Sequence, residues 1–92
     1  MEKYVALVEK MRIENGVNSY IRCYLNILNK GHVDFKIPLN NTDEVLEFFS
    51  ALEANNIDCA GQICKVYVDD NNLVSIEGMK TNKVWIRKNQ KT

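Results

Sequence analysis

The sequence predicts a single α+β domain, an antiparallel sheet packed on one helix, with the element order βββ-α-βββ. Three observations predict it. Apolar and polar residues alternate along several short segments, one segment has apolar residues at helical spacing, and turn residues separate these segments at short intervals. The 92 residues fit one domain, 1–92, and the 46% that are hydrophobic can fill one core.

Three strands are predicted before the helix. Residues 21–27 and 33–39 alternate with period two, and Pro38 is expected to end the second segment or to place it at a sheet edge. Residues 3–13 fit either a strand or a helix that ends at Asn15-Gly16. We favour the strand because this segment is β-branched and because Asn-Gly is typical of a type I′ hairpin turn. The side chains that suit one face of this strand are Val5, Leu7, Met11 and Ile13.

The helix is predicted from its cap and its spacing. Asn41 is expected to cap the first turn, Glu44 occupies the capping-box position, and Asn55-Asn56 is expected to end the helix. Apolar side chains at helical spacing form one stripe: Val45, Phe48, Phe49 and Leu52. Three short strands are predicted to follow at 63–68, 73–77 and 83–87, and residues 89–92 are expected to fray.

Residues that carry catalytic or metal chemistry are sparse. His32 and the three cysteines, Cys23, Cys59 and Cys64, lack the close ligand pairs of a zinc site. The four glycines form no phosphate-binding pattern, and the single histidine has no nucleophile arranged beside it. The sequence therefore predicts no metal, no cofactor and no enzymatic activity.

The apolar runs are too short for a membrane span or a signal-peptide core. An odd number of cysteines is a poor disulfide framework, so we expect reduced thiols packed as small apolar groups. These two features predict a cytoplasmic protein without membrane contact.

Charge is segregated along the chain, although 12 basic and 12 acidic residues balance overall. Residues 42–70 contain seven acids and one base, Lys65. The helix acids are expected to lie off the apolar stripe, without a basic partner four residues on. Such a face is either only solvated or a docking surface for the basic groove of a protein partner, for example a nucleic-acid-binding protein, and docking is the function we predict. The candidate partner-binding residues are Asp43, Glu44, Glu47, Glu53, Asp69 and Asp70.

The basic C-terminal strand gives an alternative function. If Trp85 and Arg87 share an exposed face, an aromatic ring flanked by cations can stack a base of a nucleic acid or nucleotide. The competing interpretation is an ordinary last strand whose Val84 and Ile86 face the core. The candidate nucleic-acid-binding residues are Lys83, Trp85, Arg87 and Lys88, and the edge strand beside Pro38 offers a contact for a homodimer.

In its small size, its Asn-rich composition, its predicted βββ-α-βββ order and its acid-rich segment, the chain resembles small phage-encoded inhibitors of bacterial defence. Anti-CRISPR proteins are the best-known members of that group. The resemblance implies a non-enzymatic protein that blocks a protein partner by occupying its surface. It assigns no functional residue.

Overall fold

The computed structural model describes residues 2–70 and 72–87, and it has the predicted order βββ-α-βββ. Its six strands form one antiparallel sheet of strand order β3-β2-β1-β4-β5-β6. The elements are β1 Glu2–Glu14, β2 Tyr20–Ile27, β3 Gly31–Pro38, α1 Thr42–Leu52, β4 Ile63–Asp69, β5 Asn72–Gly78 and β6 Val84–Ile86. The predicted fraying of 89–92 concerns residues outside the described ranges.

Residues 3–13 are a strand, as predicted, and this strand joins the two halves of the sheet. Its first half pairs with β4 and its second half with β2. The register with β2 shifts between Val8 and Lys10, and this bulge changes which side chains face the core. Ala6, Val8 and Met11 are buried, so the prediction that Val5, Leu7 and Ile13 share the face of Met11 is wrong.

The connection between β1 and β2 differs from the predicted hairpin. Glu14 pairs with Tyr20, which leaves a five-residue loop, and neither Asn15 nor Gly16 has a positive φ. A type I′ turn needs positive φ at both central residues, so the prediction of this turn is wrong. The β2–β3 turn does use the left-handed region, at Asn29 with φ 68° and Gly31 with φ 110°.

The helix begins as predicted and ends earlier than predicted. The Asn41 side-chain oxygen accepts the backbone N–H of Glu44 at 3.1 Å, which satisfies one of the free amides of the first turn. The reciprocal capping-box bond from the Glu44 carboxylate to the Asn41 N–H does not occur among the described contacts. The helix stops at Leu52 because Glu53 adopts a left-handed conformation, φ 58°, and its N–H bonds back to Ser50, so Asn55-Asn56 lies beyond the end.

The core lies between the helix and one face of the sheet. Alternate residues of β2 are buried there, as their period predicts, and Phe48 and Leu52 of the predicted helix stripe are fully buried. Val45 and Phe49 of that stripe are half-buried, and Ala51 completes the buried helix face.

Three aromatic rings bring the two edges of the sheet together. Phe35 of β3 stacks on Trp85 of β6 with 5.4 Å between ring centroids, although these strands are at opposite ends of the strand order. Phe48 of α1 packs edge-on against both rings, at 5.7 and 5.2 Å. The sheet therefore curls strongly, and the helix packs against the inside of the curl.

The packing of Trp85 overturns both predictions for β6. Trp85 is 1% exposed, whereas Val84 and Ile86 are exposed. The ring cannot stack a base from solvent, and Val84 and Ile86 do not face the core. The indole ring faces the core because it packs against the rings of Phe35 and Phe48 there.

Candidate functional site

The structure does not bring the six predicted partner-binding acids together as one face. Asp43 and Glu47 are exposed on the outer side of α1, and Glu44 is 5% exposed. Glu53 is half-buried at the end of the helix. The predicted acidic face therefore reduces, on the helix, to Asp43 and Glu47.

Glu53 holds a loop in place. Its Oε2 atom accepts the backbone N–H groups of Lys80 and Thr81, both at 2.6 Å, in the connection between β5 and β6. The N–H of Thr81, followed by that of Lys80, lowers the pKa of this carboxyl group from its ordinary value. The contact is close-packed: a Cβ on Gly78 would come within 2.7 Å of Glu53 Oε2 and 3.0 Å of the Ala51 carbonyl oxygen.

Asp69 and Asp70 lie far from the helix acids. Asp69 is the last residue of β4 and Asp70 lies in the β4–β5 turn, whereas the end of α1 packs at Gly78, the other end of β5. A strand of this length spans about 20 Å, so one basic groove must be large to meet both groups.

The basic set predicted at the C-terminus is also divided. Lys83 and Arg87 are exposed and Trp85 is buried between them, while Lys88 lies outside the described residues. The Arg87 guanidinium lies 5.8 Å from the centroid of the Phe35 ring, where it covers the aromatic cluster.

A groove between α1 and β6 presents apolar side chains to solvent. Its volume is about 640 Å³, and Leu46 of the helix faces Val84 and Ile86 of the strand across it. These three side chains are 60%, 47% and 62% exposed. Glu47, Ser50 and Lys83 form its polar rim. This groove was not predicted from the sequence; the available signal was Leu46, an apolar helix residue outside the predicted stripe.

The groove runs beside an open strand edge, one with which no other strand of residues 2–70 and 72–87 pairs. β6 is the last strand of the sheet, and Arg87 N–H bonds to the Val74 carbonyl while Gly78 N–H bonds to the Lys83 carbonyl. In an antiparallel pair the hydrogen-bonded residues alternate, so the backbone groups of Val84 and Ile86 point away from β5. These groups are the ones that an added strand would pair with.

The sheet face opposite the helix carries cations over tyrosine rings. The ammonium groups of Lys3, Lys10 and Lys36 lie over the rings of Tyr67, Tyr24 and Tyr20, at 5.6, 5.0 and 4.8 Å from the ring centroids. None of these three lysines forms an ion pair with another described residue.

The other cations of this face are neutralised within the sheet. The Arg22 guanidinium pairs with both Glu14 and Asp34, and Arg12 pairs with Glu14. The Tyr20 hydroxyl, with these guanidinium groups, lowers the pKa of Glu14 to about 2. Glu14 is therefore ionised at neutral pH and offsets the positive charge around it.

The cysteines have the properties of packing residues. Cys23 and Cys64 are fully buried and all three thiols are free. Burial raises the pKa of Cys64 to about 12 and raises that of Cys23 as well, so neither is a thiolate nucleophile at neutral pH. No group of three or more His, Cys, Asp or Glu side chains in residues 2–70 and 72–87 is arranged to hold a metal ion.

Comparison of the chain with protein-family models, with curated proteins and with solved structures gave no match. None of the helical residues in the described part of the chain forms a segment long and apolar enough to cross a membrane.

The contacts of Glu53 predict a pH-dependent contribution to stability. Because the folded-state pKa is lowered, this contribution is present above the ordinary carboxyl pKa and is lost as the pH falls through the folded-state value. We expect Glu53→Gln to lower the melting temperature by several degrees at pH 7. The difference from the unmodified protein should shrink as the pH falls below 4, measured by circular dichroism.

Glu47→Gln is the matched control, since Glu47 is a helix carboxylate exposed to solvent. A surface substitution of this kind usually changes stability by less than about 0.5 kcal/mol. Equal melting temperatures for the two variants at pH 7 would contradict the role of Glu53 in holding the loop.

Proposed function

We propose that the protein is a non-enzymatic binding module that docks on a protein partner through the groove between α1 and β6. The observation that carries this proposal is the exposed set Leu46, Val84 and Ile86 beside the open edge of β6. Apolar centres with a polar rim are typical of protein interfaces, and Glu47, Ser50 and Lys83 form such a rim around these side chains.

The occupant that fits this groove is an extended segment of the partner. An extended chain can pair with the outward backbone groups of Val84 and Ile86, as in other complexes formed by strand addition. Alternate side chains of the added strand would then point toward Leu46 and toward solvent. The backbone bonds supply affinity that depends little on sequence, and the contact with Leu46 supplies selectivity for an apolar residue.

The exposed carboxylates of α1 set the second property of the partner. Glu47 lies at the rim of the groove and Asp43 lies one turn before it on the helix, and neither makes an ion pair with another described residue. A basic residue of the partner beside its apolar residue would meet these carboxylates, which increases the association rate and selects against acidic segments. We therefore keep Asp43 and Glu47 of the predicted acidic face as partner-binding residues. We no longer assign that role to Glu44, Glu53, Asp69 and Asp70.

A phage-type inhibitor that blocks a nucleic-acid-binding defence protein remains our prediction for the biological class. The support is the partner chemistry: such proteins have basic surfaces that match exposed carboxylates. A cytoplasmic location belongs to the same proposal, and the free thiols Cys23, Cys59 and Cys64 support it.

The proposal predicts the sequences that bind. Selection of random displayed peptides on the immobilised protein should enrich segments that combine an apolar residue with Lys or Arg within two positions. Leu46→Asp should weaken an enriched peptide at least tenfold, since it places a charge against the apolar side chain. Fluorescence anisotropy with the labelled peptide measures this change.

Leu28→Asp is the matched control. Leu28 is as exposed as Leu46, but it lies in the β2–β3 turn, away from the groove. We expect it to leave the affinity unchanged. Equal losses in the two variants, or enriched peptides without a basic residue, would contradict docking in the groove.

Single-stranded nucleic acid is the second candidate ligand, and it would bind the sheet face opposite the helix. Lysine ammonium groups interleaved with tyrosine rings, as at Lys3, Lys10 and Lys36, are the groups that contact phosphates and stack bases on a sheet. The groove ranks first because the tyrosines are only partly exposed and each ring is already covered by a cation, which a base must displace.

Binding of a labelled single-stranded oligonucleotide at two salt concentrations tests the second candidate. If this candidate is correct, affinity falls steeply with salt and falls further in the Lys3→Gln, Lys10→Gln double variant. The Lys80→Gln, Lys83→Gln double variant, in the β5–β6 connection, is the control of equal charge change. Salt-independent or undetectable binding rejects it.

A further inference from the structure

The sheet face opposite the helix has an apolar centre, which we call the outer patch. It consists of four aliphatic side chains that are between 39% and 62% exposed: Val5, Leu7, Leu28 and Ile63. Leu7 of β1 pairs directly with Ile63 of β4, and the Leu28 N–H bonds to the Val5 carbonyl oxygen. Residues that face each other across neighbouring strands have adjacent side chains, so these four form one continuous surface.

The rim of the outer patch is basic. Lys3 and Lys10 lie on β1 at the two ends of the patch, each over a tyrosine ring that restrains the ammonium group without neutralising it. Neither lysine forms an ion pair with an acid of residues 2–70 and 72–87. Two acids of this face already have partners in the chain, Glu9 with His32 and Glu77 with Lys65.

The groove between α1 and β6 is also apolar at its centre, but the charge beside it has the opposite sign. Glu47 and Lys83 lie at its rim, and Asp43 is exposed one turn before Glu47 on the helix. Two carboxylates against one ammonium group make the surroundings of the groove net negative.

The shapes of the two surfaces are complementary as well. The sheet curls around the helix, so the outer patch lies on the convex side of the sheet. The groove is concave, and it shares no residue with the outer patch. A convex apolar surface with a basic rim therefore matches a concave apolar surface with acidic surroundings.

The total charge of the chain favours contact between copies. Its 12 basic and 12 acidic residues give a formal net charge of zero at pH 7. A net charge near zero removes the overall repulsion between identical molecules and promotes their association. The complementary surfaces then determine which contact forms.

We propose that the outer patch of one copy docks in the groove of a second copy, in a head-to-tail contact. Because the two surfaces differ, each pair retains one free groove and one free outer patch, and the contact can be repeated from copy to copy. The contact needs the side chains of the groove and not the backbone edge of β6, so it does not rest on the proposed function. A partner segment and a second copy would exclude each other, since both cover Leu46.

Sedimentation velocity of the full chain over a range of concentrations tests the association. The weight-average sedimentation coefficient should rise with protein concentration. The rise should weaken as salt is added, because ions screen the charges beside both surfaces. A sedimentation coefficient that stays that of a monomer at every concentration would overturn the proposal.

Two variants, Leu46→Asp and Ile63→Asp, test the head-to-tail arrangement. Each removes one of the two surfaces, so each alone should associate at least tenfold more weakly than the unmodified chain. An equimolar mixture should form dimers and nothing larger, since one intact groove then meets one intact outer patch. Val17→Asp is the control, because Val17 is fully exposed in the β1–β2 loop and belongs to neither surface.

Other results for these variants would contradict the arrangement. Association of either variant alone at the unmodified strength would show a contact between like surfaces, and a mixture that stays monomeric would show that groove and patch do not meet. Circular dichroism verifies that each variant is folded. Leu28→Asp, in a turn, is a second outer-patch variant and should act as Ile63→Asp does.

The Ile63→Asp variant also separates this proposal from docking of a partner segment. Its groove is intact, so it should bind an enriched peptide with unchanged affinity while it fails to associate with itself. Loss of self-association without any peptide binding would reject the proposed function and leave the head-to-tail contact standing. Peptide binding by an unmodified chain that never associates would do the reverse.

Discussion

The contact among Phe35, Phe48 and Trp85 is the constraint on which the rest of the structure depends. It joins the first edge strand of the sheet, the last edge strand and the helix, which are far apart in strand order and in sequence. Aromatic pairs in stacked and edge-on arrangements contribute about 0.5–1.5 kcal/mol each beyond the burial of their area. Because the rings hold both edges, the sheet curls around one core instead of remaining open.

The groove between α1 and β6 follows from the inward position of Trp85. Since successive side chains of a strand point to opposite faces, a buried Trp85 turns Val84 and Ile86 outward, and these two residues form one wall of the groove beside Leu46.

The strands and the helix were predictable because apolar and polar residues occupy clearly separate positions in their sequences. In β2 the apolar residues alternate with polar ones, and Asn41 is a cap followed by a clear stripe. In β6 the pattern is uninformative, since Val84, Trp85 and Ile86 are all apolar. Which of these side chains faces the core depends on packing against aromatic rings that are distant in sequence. The bulge of β1 at Glu9 and the contacts of Glu53 with Lys80 and Thr81 are likewise tertiary features that local spacing does not encode. Charge counts located the acids but gave no information on which of them the fold would bury.

The most direct test of this account is a measurement of the neighbours of Trp85. In a nuclear Overhauser spectrum of the full chain, the indole ring protons of the single tryptophan should show contacts with the ring protons of both Phe35 and Phe48. Such contacts would place β3, β6 and α1 around one ring, as the curl of the sheet requires. Indole protons that show contacts only with neighbours along β6, and that are equally accessible to a soluble paramagnetic agent before and after unfolding, would contradict it.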